Sequence, residues 1–203
     1  QKLYSYHWIS HRIQGDGDSG DPDCFGPTEV PSDTVPWEQP EDPTAVGATW
    51  PYWVAADFQP LSCLYGEFFS PDAFLGTVTV FINWRATCSY CQAQASKFEE
   101  LRVELKLMGH DVYFVGLNQV GYDSPDYQMM LSELCSFNLM QGMQANNLWA
   151  LGNNQKDDIF IYDETGHLVQ YIDAQGKLST NMNTDEGYDN VKNAVLSALG
   201  EMP

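Results

Sequence analysis

Two cysteines, Cys88 and Cys91, lie three positions apart in the segment Cys-Ser-Tyr-Cys, a spacing at which two thiols can form a disulfide with each other. Such a pair supports thiol–disulfide exchange when one thiol ionises easily, because the thiolate is the nucleophile in that reaction. The same spacing also occurs in structural disulfides and in metal sites. The elements that carry the motif therefore decide which chemistry the sequence favours.

The motif follows a predicted strand and opens a predicted helix. Residues 77–82 are a β-branched, apolar run after Gly76, which indicates a buried strand. The helix is indicated by apolar residues at steps of three and four, namely Ala95, Phe98, Leu101, Leu105 and Met108, with Gly109 at its end. The first thiol thus lies at a helix N-terminus, where the helix dipole lowers its pKa.

The chain after this helix continues to alternate between strands and helices. The predicted elements are a buried strand over residues 112–117, a short helix that begins at Ser124, a hairpin of residues 158–162 and 168–172, and a last helix over residues 188–199. Two strands that are joined by a helix are parallel. The order predicts an α/β, thioredoxin-like fold, in which helices flank a central mixed sheet.

The composition of the chain changes near residue 75. Most of the eleven prolines lie at or before Pro71, and residues 15–23 contain no apolar side chain. The aromatic residues around Trp37 and Trp50 are too dense for a free tail, so we expect them to pack on the rest of the chain. The sequence predicts an irregular N-terminal extension, rich in Pro, Asp and aromatic residues, over residues 1–75, and a thioredoxin-like domain over residues 76–203.

The charge of the chain excludes several classes of partner. The formal net charge is -19, which repels nucleic acids and anionic lipid surfaces. The sequence contains no apolar run of about 18 residues, so we expect no membrane span. The chemistry of the Cys-x-x-Cys motif therefore remains the main guide to function.

The motif from Cys88 to Cys91, followed by residues 94–106 and later by residues 156–163 and 166–169, resembles the thioredoxin-like N-terminal domain of the selenoprotein P family. The resemblance extends over residues 76–199. That family carries selenocysteine at the position of Cys88. The resemblance implies an extracellular redox domain with a thioredoxin-like fold.

The favoured hypothesis is a secreted thiol–disulfide oxidoreductase or thiol peroxidase, in which Cys88 is the nucleophile and Cys91 resolves the mixed disulfide. Its substrates would be thiols, disulfides or peroxides, and the redox reaction requires no cofactor. The alternative is a non-catalytic secreted protein that binds a metal ion, a pigment or a matrix ligand. In that case the Cys-x-x-Cys motif is a structural disulfide or a metal ligand.

Two departures from thioredoxin-type enzymes bear on this choice. Thr87 precedes the motif where thioredoxins have Trp, and the chain has no proline between Pro125 and Pro203. A cis-proline normally lies across from the Cys-x-x-Cys in this fold and aligns the substrate backbone. Counting back from Trp149 predicts that this position falls near Phe137.

The placement of Phe137 predicts the positions and pairing of the remaining cysteines. If Phe137 lies across from the motif, Cys135 lies within reach of Cys88 and Cys91. Cys24 and Cys63 are then left to form a disulfide with each other. Three roles stay open for Cys135: it could resolve an oxidised Cys88, complete a three-thiolate metal site, or be a buried and inert thiol.

The N-terminal segment holds the other candidate ligands. His7 and His11 are spaced to share a helix face and could bind copper or zinc, whereas Asp16 and Asp18 could bind calcium. Each set is also compatible with ordinary solvated side chains. The five cysteines and the initial Gln1 predict a processed, secreted, extracellular protein whose further partners would be extracellular proteins or cations.

Overall fold

The computed structural model describes residues 24–32, 36–143, 148–149 and 155–201. Within these ranges the chain forms one mixed sheet, three α-helices and a 3₁₀ turn at Pro71–Phe74. The strands are β1 (Ala55–Asp57), β2 (Phe68–Phe69), β3 (Thr79–Trp84), β4 (Tyr113–Asn118), β5 (Asn138–Gln141), β6 (Ile159–Tyr162) and β7 (Leu168–Ile172). The helices are α1 (Ser89–Leu107), α2 (Pro125–Ser132) and α3 (Asp185–Ala198).

The sheet has the strand order β2-β1-β5-β4-β3-β6-β7. Strands β3, β4 and β5 are parallel to one another, whereas β6 is antiparallel to β3 and β7 is antiparallel to β6. The two strands that α1 connects are thus parallel, and β6 and β7 form a hairpin, as the sequence predicts. Gly109 follows Met108, the C-cap of α1, and its φ of 93° is the left-handed conformation that glycine adopts just after a helix C-terminus.

Both faces of the sheet are covered, because every residue of β3 is buried. On one face Val80, Ile82 and Trp84 pack with residues of α1 and α3. On the other face Phe81 packs against the aromatic segment that precedes the sheet. The helices therefore cover one face, and irregular chain covers the other.

The aromatic segment packs on the main sheet, as the sequence predicts. The ring centroids of Trp50 and Trp53 lie 6.0 and 5.8 Å from that of Phe81. The same region has more regular structure than the composition indicates, because β1 and β2 lie before residue 75 and β1 pairs with β5. These strands are only three and two residues long, too short to produce an alternating pattern.

A disulfide also joins the N-terminal part of the described chain to the segment between β1 and β2. Cys24 and Cys63 form a disulfide, the pairing that the sequence analysis predicts. A parallel backbone bridge between Phe25 and Ser62 lies directly beside it. The disulfide therefore closes a loop that contains β1 itself.

Across the ranges that the structure describes, no helix is both long and apolar enough to cross a membrane.

Candidate functional site

Cys88 lies at the N-cap of α1, directly after the loop that follows β3. Its Sγ accepts a hydrogen bond from the backbone N–H of Cys91 at 3.3 Å, and the Nζ of Lys156 lies 3.2 Å away. Partial burial opposes ionisation, but the hydrogen bonds from Cys91 and the ammonium group of Lys156 together lower the pKa of Cys88. Cys88 is thus the thiol of this motif that ionises more easily.

Cys91 has the opposite environment. It is fully buried, and its Sγ donates a hydrogen bond to Oδ1 of Asp157 at 3.3 Å. Burial and the negative charge of Asp157 raise the pKa of Cys91 far above its ordinary value. The second thiol of the motif therefore stays protonated while the first can ionise.

Lys156 and Asp157 reach the motif because of the sheet topology. Strand β6 is antiparallel to β3, so its beginning lies at the end of β3 from which the loop to α1 leaves. Two backbone hydrogen bonds fix this register: Asp157 donates to Asn83, and Asn83 donates to Asp158. The segment that lies across from the Cys-x-x-Cys is thus the turn before β6.

Asp157 adopts an uncommon backbone conformation in that turn. Its φ is 68°, which is in the left-handed region and costs a non-glycine residue about 1–3 kcal/mol. The residue is only 5% exposed, and its other carboxylate oxygen, Oδ2, lies 3.4 Å from Nζ of Lys156. The conformation holds a buried carboxylate under the second thiol.

Four groups from two distant parts of the sequence thus form a closed set of contacts. Cys88 contacts Lys156, Lys156 contacts Asp157, Asp157 contacts Cys91, and the Cys91 backbone returns to Cys88. The atoms in contact are, in the same order, Cys88 Sγ and Lys156 Nζ, Lys156 Nζ and Asp157 Oδ2, Asp157 Oδ1 and Cys91 Sγ, and Cys91 N and Cys88 Sγ. We call this set the redox cluster. It places a cation beside the first thiol and a carboxylate beside the second.

The loop that leads into the motif is fixed by polar side chains at the end of β4 and in the first turn of α1. Oδ1 of Asn118 accepts a hydrogen bond from the backbone N–H of Ala86, and the side chain of Gln92 donates to the carbonyl of Ala86. Arg85 donates to Gln119 at 2.6 Å. These contacts hold the N-terminus of α1, and with it Cys88, in one position.

Phe137 does not lie across from the motif, and the prediction that placed it there was wrong. It packs in the core against Trp84 and Phe114, with ring centroids 6.0 and 5.8 Å away. Counting back from Trp149 failed because the facing turn comes directly before β6 and therefore contains Lys156 and Asp157. In the sequence, Lys156 and Asp157 lie directly before the predicted strand at residues 158–162, and this position was the available signal. The structure adds that this strand pairs with β3.

Cys135 also lies elsewhere than the sequence analysis expected. Its Sγ lies 3.7 Å from the carbonyl of Leu131, and the side chain of Gln59 donates to its carbonyl at 2.8 Å. Burial and the negative charge of Glu99 raise the pKa of Cys135. Glu99 is two turns along α1 from Cys91, about 12 Å of helix rise, so Cys135 is separated from the redox cluster.

The metal sites considered from the sequence find no support in the described ranges. Within them, no group of three His, Cys, Asp or Glu side chains is arranged to hold a metal ion. This includes the proposed three-thiolate site with Cys135, because that thiol lies away from the motif. His7, His11, Asp16 and Asp18 lie outside the residues that the structure describes.

Comparison with known proteins gives the chain a family. The family model described as "Selenoprotein P, N terminal region" matches residues 48–175. Human selenoprotein P is 36% identical over 101 residues, which cover 48% of this chain and 26% of the human protein. The bovine selenoprotein P is 32% identical over 126 residues, or 60% of this chain and 29% of that protein. The match thus spans little more than a quarter of these relatives.

Solved structures agree on the fold. The thioredoxin domain of a thiol-disulfide oxidoreductase from Bacteroides vulgatus has a TM-score of 0.55 at 18% identity and covers 74% of this chain and 98% of its own. A putative thiol:disulfide interchange protein DsbE from Chlorobium tepidum has a TM-score of 0.58 at 14% identity, with coverages of 77% and 99%. At these identities the likeness concerns the fold alone, and it confirms the predicted thioredoxin-like architecture.

Proposed function

The chain belongs to the family of the selenoprotein P N-terminal region, and from that premise we propose that it is a thiol–disulfide oxidoreductase. Cys88 is the nucleophile and Cys91 is the resolving thiol. The observation that carries the proposal is the different surroundings of the two thiols: Cys88 Sγ lies 3.2 Å from Nζ of Lys156, whereas the buried Cys91 Sγ lies 3.3 Å from Oδ1 of Asp157. These contacts lower the pKa of Cys88, while burial and Asp157 raise that of Cys91. Groups whose pKa values are driven apart in this way are suited to different roles in one reaction.

The proposed reaction proceeds in two exchange steps. The Cys88 thiolate attacks one sulfur of a substrate disulfide, and the other sulfur leaves as a thiolate with the bonding electron pair. Cys91 then attacks Cys88 in the mixed disulfide and expels the second substrate thiolate. The substrate gains two electrons and the Cys88–Cys91 pair loses two. An external thiol reductant returns the pair to its reduced state.

The environment of Cys88 favours the first of these steps. The ammonium group of Lys156 stabilises the thiolate, and Cys88 is partly exposed whereas Cys91 is buried. A substrate therefore meets Cys88 first. Thiol and disulfide substrates fit this arrangement, and the reaction requires no cofactor.

Peroxides are a second substrate class for the same nucleophile. The Cys88 thiolate would attack the O–O bond, become a sulfenic acid and release water or an alcohol. Cys91 would then condense with the sulfenic acid, form the Cys88–Cys91 disulfide and release a second water. The same external thiol reductant would complete this cycle.

An extracellular location is part of the proposal. The disulfide between Cys24 and Cys63 supports it, because such bridges form and persist in oxidising compartments. Peptide mapping of the native protein without reduction tests this point. A Cys24–Cys63 peptide is the expected product, and free thiols at both positions would contradict an oxidising environment.

Turnover assays test the activity itself. The wild type should reduce the disulfides of insulin in the presence of a thiol reductant, and parallel assays with hydrogen peroxide should show whether peroxides are also consumed. The Cys88→Ser variant should lose this activity. The Cys91→Ser variant should instead accumulate a mixed disulfide on Cys88, visible by mass spectrometry.

The same material distinguishes the oxidoreductase from a binding protein with a structural bridge. A reduction potential of the Cys88–Cys91 pair well below about -300 mV, together with no turnover, would favour the structural role. Full activity in the Cys88→Ser variant would falsify the assignment of the nucleophile.

A further inference from the structure

The fate of the Cys91 proton is the step that the exchange reaction leaves open. Cys91 must lose this proton as it attacks the mixed disulfide, yet the thiol is fully buried and has a raised pKa. Solvent cannot easily remove a proton from such a position. The reaction therefore needs an acceptor in direct contact with the sulfur.

The carboxylate of Asp157 is in that contact. Its Oδ1 accepts the hydrogen bond of Cys91 Sγ at 3.3 Å, while its Oδ2 lies 3.4 Å from Nζ of Lys156. One oxygen thus faces the thiol and the other faces the cation. The ammonium group favours the ionised carboxylate, which is the form that can accept a proton.

Comparison with Asp57, another buried acid, shows that this arrangement is unusual within the molecule. Oδ1 of Asp57 accepts hydrogen bonds from the backbone N–H groups of Gln59 and Leu139, and its Oδ2 accepts one from the amide of Asn138. Those donors are the partners of a carboxylate that holds a loop to a strand. Asp157 instead contacts Cys91, whose bonding changes during the exchange, and Lys156, which lies beside the nucleophilic thiol.

We infer that Asp157 is a catalytic residue, the base that takes the proton of Cys91 when Cys91 attacks the mixed disulfide. This inference rests on the proposed function. The Cys91 S–H bond breaks and its proton passes to Oδ1, while the sulfur electron pair forms the bond to Cys88. The bond between Cys88 and the substrate sulfur breaks, and that sulfur leaves with its electron pair. In the reverse direction, Asp157 returns the proton to Cys91 as the disulfide opens.

The electrostatic surroundings of Asp157 are compatible with this role. The groups that influence it or respond to its charge are Lys156, Cys91, Tyr90 and Asp158. Burial raises the pKa of Asp157, and Lys156 and Cys91 oppose that effect. A carboxylate with a raised pKa is a stronger base than an exposed one.

A rapid-mixing experiment with dithiobis(nitrobenzoate) separates the two steps. Each molecule of this disulfide releases one coloured thiolate when Cys88 attacks and a second when Cys91 resolves the mixed disulfide. The reduced protein should therefore give a fast and a slow phase. The Cys91→Ser variant, which should show only the first, assigns them.

The test variant is Asp157→Asn, and the matched control is Asp158→Asn. Asparagine tolerates the positive φ of residue 157, so the substitution removes the charge without forcing the backbone to change. Asp158 is also buried, but it accepts its hydrogen bonds from Tyr171 and Ala174 rather than from a cysteine. Thermal melts of both variants establish that they are folded.

We expect Asp157→Asn to slow the second phase about a hundredfold and to leave the first phase nearly unchanged. The second phase of the variant should rise about tenfold for each unit of pH, since hydroxide must then remove the proton. In the wild type it should be nearly constant above the pKa of Asp157. The Asp158→Asn control should resemble the wild type in both phases.

Three other results have separate meanings. An unchanged second phase in Asp157→Asn overturns the role of Asp157 but leaves the oxidoreductase proposal standing. An equal loss in both phases, or in both Asn variants, shows a structural effect and likewise overturns the inference. A wild type that releases neither thiolate overturns the proposed function itself.

Discussion

The surroundings of Cys88 and Cys135 differ in the sign of the nearest charge. Cys88 is partly exposed at the N-cap of α1 and lies 3.2 Å from the ammonium group of Lys156. Cys135 is buried, and the nearby charge that most affects its pKa is the carboxylate of Glu99. The first environment lowers a thiol pKa and the second raises it. Two free cysteines in one fold are therefore expected to differ in reactivity.

In the proposed reaction Cys91 is reactive although it is buried and lies near a carboxylate. It shares both features with Cys135. The difference is its contacts, because Cys91 lies beside another cysteine and beside an acid that is paired with a lysine. The comparison indicates that thiol chemistry here depends on the arrangement of neighbouring groups rather than on exposure alone.

Alkylation should give the largest contrast between these regions. With iodoacetamide at neutral pH, the reduced native protein should react at Cys88 faster than at Cys135 by on the order of 10³, because reactivity follows thiolate fraction and access. Peptide mapping by mass spectrometry measures both rates. In denaturant the two thiols should react alike. Comparable rates in the native protein would show that the two environments are equivalent.

Removal of the cation should have a smaller effect. The Lys156→Gln variant should react at Cys88 about tenfold more slowly at neutral pH, because the thiolate loses its stabilising charge and the pKa of Cys88 rises. The midpoint of the alkylation profile should move to higher pH, and the two proteins should converge in strongly alkaline solution.

Lys177→Gln is the matched control for Lys156→Gln. It removes the same charge from an exposed position, so it tests the effect of net charge alone. An equal loss of rate in both variants would mean that the contact between Lys156 and Cys88 has no specific influence.

Replacement of Cys135 should have the smallest effect. The Cys135→Ala variant should retain insulin reduction to within about twofold, because the thiol lies near Glu99. Glu99 is about two turns of α1 away from Cys91 and the redox cluster. The variant should lose about 1 kcal/mol of unfolding free energy, since a buried side chain is shortened. A large loss of turnover at unchanged stability would restore Cys135 as a participant in the reaction.

Much of the fold could be predicted because its central elements are long and periodic. Strand β3, helix α1 and the hairpin of β6 and β7 each have a pattern that local chemistry explains. Strands β1, β2 and β5 were not predicted, because none of them contains a run of β-branched residues and each depends on pairing with distant chain. Their positions come from the sheet rather than from local sequence.

Of the candidate site, only the two cysteines of the motif could be predicted from the sequence. The cysteines follow from spacing and from their position between strand and helix. Lys156 and Asp157 are more than sixty residues away along the chain, and only the pairing of β6 with β3 brings them to the motif. Because the facing turn was located incorrectly, Cys135 was predicted to lie beside Cys88 and Cys91, where it does not lie. The positions of these side chains thus depend on contacts between distant segments, which sequence periodicity does not reveal.

The disulfide between Cys24 and Cys63 has a consequence for proteolysis. The buried Trp50 and Trp53 lie inside the loop that it closes. A single protease cut within that loop leaves both fragments in one covalent molecule, so a non-reducing gel shows no change in mass. When the cut lies between Trp53 and Cys63, reduction releases the fragment that carries both tryptophans and removes the covalent tether that keeps them over Phe81. The redox state of the surroundings therefore determines whether a nicked molecule keeps its aromatic cover.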